Sequence, residues 1–62
     1  MSKIETQSFS EELYEIAVRL RESAAEELNL GQIDVSKDYA RAAMIVEVAA
    51  DNVGRILFAD WS

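Results

Sequence analysis

The chain has 62 residues, with twelve acidic and six basic side chains, a net charge of −6, and neither His nor Cys. A chain this short hides only about 60% of the surface its unfolded form exposes, so its core is marginal, and without Cys or His it has neither a disulfide nor a zinc site to reinforce it. The same two absences remove the usual general base and thiol nucleophile, and the acidic balance repels phosphate backbones and anionic membrane surfaces.

In chain order, residues 1–8 read as a disordered lead-in, with too short an apolar stretch for a signal peptide. A first helix is expected over about 10–29, because Leu13, Ile16, Ala17, Leu20, Ala24 and Leu28 recur at three- and four-residue spacing. Ser10 suits its N-cap, with Ser8 and Glu11 as an alternative capping box and Phe9 placed to staple onto Tyr14. Asn29-Leu30-Gly31 reads as its C-terminus, with glycine supplying the left-handed residue.

A short connection to Val35 follows, and Asp34 or Ser36 is expected to cap a second helix over about 36–60. In that helix Tyr39, Ala43, Val46, Ala50, Val53 and Leu57 form a heptad seam. Gly54 in a helix interior costs about 1 kcal/mol relative to Ala, and close backbone approach is its expected reason. So brief a connection favours antiparallel neighbours. The whole chain, 1–62, then reads as a single all-α domain, an antiparallel two-helix hairpin. Its seam is Leu13, Ala17, Leu20 and Ala24 against Ala43, Val46, Ala50, Val53 and Leu57. Glu22, Glu26 and Glu27 crowd the end of the first helix, where the dipole disfavours them, and the positive dipole end of the second helix, with Lys37 and Arg41 nearby, is expected to compensate.

The apolar arc of the second helix is too wide for one neighbour. Ile45, Ile56, Ala42 and Ala49 extend it on one side and Phe58 with Ala40 on the other, while Tyr14, Val18 and Ala25 extend the first helix. Two hairpins packed as a four-helix bundle would cover both, so a homodimer is expected.

No catalytic constellation, metal spacing or cofactor fingerprint is present in the sequence, and the expectation is a non-catalytic protein without cofactors. Binding falls instead to the aromatic residues Tyr14, Phe58 and Trp61, and to Met44 and Val48 with Arg41 beside them. These residue types suit contact with another protein. Direct nucleic-acid binding is disfavoured by charge, and would need Arg19, Arg21, Lys37, Arg41 and Arg55 on one face of the dimer; an acidic mimic of nucleic acid or a structural subunit of a larger assembly are the other readings. No apolar run approaches the roughly 20 residues that span a bilayer, so no membrane role is expected, and a cytoplasmic protein is.

Overall fold

The computed structural model describes the backbone of residues 3–61 and the side chains of residues 5–56. Two helices, α1 (Lys3–Asn29) and α2 (Ile33–Trp61), pack as an antiparallel hairpin. At 1.5 Å per residue each runs roughly 40 Å, and the molecule is a rod of 46 × 14 × 13 Å. Its radius of gyration, 14.2 Å, exceeds the roughly 11 Å of a compact domain of this length.

The bend is set by Gly31, whose φ of 80° lies in the left-handed region. The Gly31 N–H donates to the Leu28 carbonyl at 3.0 Å and the Gln32 N–H to the Glu27 carbonyl at 2.8 Å. This pair of bonds is a Schellman motif, which satisfies carbonyls that the end of α1 would otherwise leave open. The Ser36 N–H then donates to the Gln32 carbonyl and opens α2. Only Leu30, Gly31 and Gln32 separate the helices, a shorter connection than the sequence suggested.

Both helices start earlier than expected, α1 at Lys3 rather than Ser10 and α2 at Ile33 rather than Ser36. Residues 3–8, expected to be a disordered lead-in, continue the helix. No Gly or Pro interrupts this stretch, and Thr6, one turn before Ser10 on the same face, is buried. Ser10 and Ser36 are therefore interior rather than caps. Their hydroxyls cross the hairpin instead: Ser36 Oγ donates to the Ala24 carbonyl at 2.7 Å, and Ser10 Oγ donates to the Ala50 carbonyl at 3.3 Å.

Those two bonds fix the register. Each helix carries a heptad-spaced Ser–Ala–Ala triplet, Ser10–Ala17–Ala24 on α1 and Ser36–Ala43–Ala50 on α2. Running antiparallel, the triplets meet head to tail, and Ala17 and Ala43 fall level with each other midway. Among the described residues the buried apolar side chains are Ala17 (2% exposed), Ala24 (9%), Ala43 (0%) and Ala50 (0%). Alanine at these positions lets the helix axes come close, because interaxial distance follows the size of the residues between them. Leu13, Leu20, Val46 and Val53 sit beside this line and are half-buried. Leu57 lies outside the residues whose side chains are described.

Gly54 does not have the reason expected for it. A Cβ built there would meet nothing within 4 Å, so close approach inside the hairpin does not require glycine.

Candidate interaction surface

The alanine line divides the hairpin into two flanks of opposite character. On one, the Tyr14 hydroxyl donates to Asp51 Oδ1, and Arg21 Nε donates to Glu47 Oε1 at 2.6 Å. The hydrogen bond to Asp51, aided by desolvation, holds the Tyr14 phenol above its ordinary pKa, and the Arg21 guanidinium holds the Glu47 carboxyl below the usual carboxylate value. The ion pair is largely solvated, and exposed pairs contribute only about 0–1 kcal/mol, so these contacts set register more than stability.

The other flank is apolar and open. Helical geometry places Phe9, Ile16, Ser23 and Leu30 on one heptad-spaced line of α1 and Val35, Ala42, Ala49 and Ile56 on the matching line of α2. Phe9, Ile16, Val35 and Ile56 are all exposed, and Leu30 at the bend is 73% exposed. Towards the open end of the hairpin, Thr6, Phe9, Glu12, Leu13, Ile16, Val53 and Ile56 line a groove of about 450 Å³.

The total accessible surface measures the same excess. It is 4771 Å² for a 7.0 kDa chain, against roughly 4,000 Å² for a compact monomer of that mass. The difference, about 800 Å², reflects the rod shape of the molecule together with its open flank.

The residues singled out from sequence are spread over the molecule. Tyr14 lies on the polar flank, engaged by Asp51. Met44 and Val48 are exposed on the outer side of α2, with Arg41 exposed nearby. Phe58 and Trp61 lie outside the residues whose side chains are described, so they are not placed relative to Tyr14. The surplus apolar surface of α1 includes the expected Tyr14, Val18 and Ala25, all exposed, and extends to Phe9 and Ile16 on the other flank. Tyr14 reads as apolar by type, yet its hydroxyl is committed across the hairpin. Of the expected stripe, Ile16 and Leu28 are exposed rather than covered.

Among the described residues no ion pair joins Lys37 or Arg41 to Glu22, Glu26 or Glu27, and the cross-helix pair is Arg21–Glu47. Arg21 is held on the polar flank, and Lys37, Arg41 and Arg55 follow the outer side of α2. Among the described residues no group of acidic side chains is arranged to hold a metal ion, and no helix is long and apolar enough to cross a membrane.

The chain matches no family model, no curated protein and no solved structure. What the fold and the surface define is an architectural class, an all-helical hairpin closed by alanines.

Proposed function

We propose that this chain is a non-catalytic interaction protein that acts as a homodimer in the cytoplasm, with two hairpins packed through their apolar flanks into a four-helix bundle. One observation carries the reading: the buried apolar side chains described are four alanines, while Phe9, Ile16, Val35 and Ile56 lie exposed along one flank. A hairpin that hides so little apolar surface gains stability from a second body, and a second copy brings a flank of the same size and character. The absence of His and Cys supports a role in binding rather than catalysis.

Pairing through that flank leaves Met44 and Val48 uncovered on the outer side of α2, beside Arg41. A flexible Met next to a cation suits contact with a further protein, and the dimer would offer this strip twice. An inhibitor or adaptor acting by occupying another protein's surface fits such an arrangement.

Sedimentation equilibrium at micromolar concentration tests the dimer. The expected mass is twice 7.0 kDa, and Ile16→Glu, which puts a charge on the apolar flank, is expected to raise the dissociation constant by on the order of a hundredfold or more. A folded chain of 7.0 kDa at every concentration would refute the reading.

A further inference from the structure

The homodimer reading leaves two ways to stack the flanks, with the two bends at the same end or at opposite ends. Resting on that reading, we propose that the bends lie at opposite ends, α1 packing on α1 and α2 on α2 of the second copy, about a twofold axis beside Ile16.

The argument begins with which residues are level. Given the register fixed by the Ser10–Ala50 and Ser36–Ala24 bonds, Leu13 is level with Val46 and Leu20 with Tyr39. Thr6 is level with Val53, and Glu27 stands beside the bend. With bends at the same end, every layer would meet its own copy. One central layer would then hold two Leu and two Val, the next two Leu and two Tyr, a mismatch in volume that close-packed cores do not tolerate. Both half-buried Glu27 carboxylates would also fall in one layer. With bends at opposite ends, each Leu13–Val46 layer meets a Leu20–Tyr39 layer of the second copy. Both central layers then have the same composition, and each Glu27 lies towards Thr6 at the far end, away from its twin.

The outer lines fit the same arrangement. Ile16 meets Ile16 of the second copy at the axis, and Phe9 falls level with Ser23 of the second copy, large against small. On α2 the small residues Ala42 and Ala49 occupy the middle, with Ile56 and Val35 towards the two ends, so these helices approach closely at the centre. The bend of one copy, with Leu30 and Val35 exposed, lies over the apolar groove at the open end of the other. At the rim Glu12 comes beside Arg19 of the second copy, twice by symmetry.

The natural chain contains no Cys, so an introduced thiol is unique. Disulfide formation requires Cα atoms within about 7 Å, which only a residue beside the axis or a pair facing each other satisfies. Ile16→Cys alone is expected to form a covalent dimer under mild oxidation, on the order of a hundredfold faster than Glu22→Cys on the outer side of α1. A mixture of Phe9→Cys and Ser23→Cys chains should link to each other, which guards against Ile16→Cys failing to fold. Helicity by circular dichroism checks each variant. The proposal is overturned if the natural chain sediments as a dimer while Ile16→Cys stays unlinked and only its mixture with Ala42→Cys joins, the pattern of bends at the same end. A natural chain that sediments as a monomer removes the homodimer reading itself, so the two failures are distinguishable.

Discussion

Ala43 and Ile16 both lie on heptad-spaced lines, yet one is fully buried within the hairpin and the other 44% exposed on its flank. The difference shows how the chain divides its apolar residues by size. Small residues line the contact it makes with itself, where a branched side chain would hold the axes apart. Larger ones such as Phe9, Ile16 and Ile56 stay exposed on a flank. The hairpin therefore fixes its own geometry firmly while hiding little apolar area.

The most direct way to break this division is to put a large residue where the helices are closest. Ala43→Leu is expected to cost about 3 kcal/mol by overpacking, while Ala25→Leu, exposed on α1, should stay within about 0.5 kcal/mol of the natural chain. Urea titration followed by circular dichroism at matched concentration measures both. Equal effects would mean that the alanine line is not what sets the helix spacing.

The bend brings the two triplets level, and Gly31→Ala strains it directly. Holding alanine in the left-handed region should cost about 1–2 kcal/mol by the same titration. The two crossing hydroxyls sharpen the picture further. Ser36→Ala removes a short bond in a buried setting and should cost about 1 kcal/mol, and Ser10→Ala, with its longer and only partly buried bond, a smaller amount. Should Ser10→Ala prove the more costly, the register would be anchored at the open end instead. Gly54→Ala has the opposite sign. With room for a methyl, it should stabilise α2 by about 0.5–1 kcal/mol.

The smallest effects belong to the polar flank and depend on pH. Arg21 lowers the pKa of Glu47, so that contact stabilises the fold above the ordinary carboxylate value and is lost as pH falls through the lowered one. The Tyr14 phenol is raised by its bond to Asp51. Its contribution is present below the ordinary phenol value and lost as pH rises through the raised one. Comparing melting temperature against pH for Tyr14→Phe and Glu47→Gln should flatten the alkaline limb in the first and the acid limb in the second. An unchanged alkaline limb in Tyr14→Phe would remove the Asp51 bond from the account.

Much of the fold was legible because its signals are local. Heptad spacing marked Ala17, Ala24, Ala43 and Ala50 as facing residues, and Gly31 marked the bend, since a left-handed residue after a helix has few alternatives to glycine. The helix starts were not legible. Ser10 and Ser36 suit a cap as well as they suit a helix interior, and their role depends on carbonyls 40 and 12 residues away. The apolar flank was legible on α2 through Ala42, Ala49 and Ile56, whereas on α1 the expected Tyr14, Val18 and Ala25 are exposed but lie on the side opposite Phe9 and Ile16. Deciding whether Tyr14 counts as greasy or polar requires knowing that Asp51 stands opposite it, which follows only from the register across the bend.

The seam hydroxyls donate to main-chain carbonyls, not to side chains. An acceptor of that kind belongs to the backbone and survives any replacement of Ala24 or Ala50 that leaves the helix intact. Through mutational drift, each Ser would retain a target whatever residue stood opposite, provided that residue stayed small. At the seam, the alignment of the two helices is thus protected on its accepting side and exposed to change on the donating side, at the two serines.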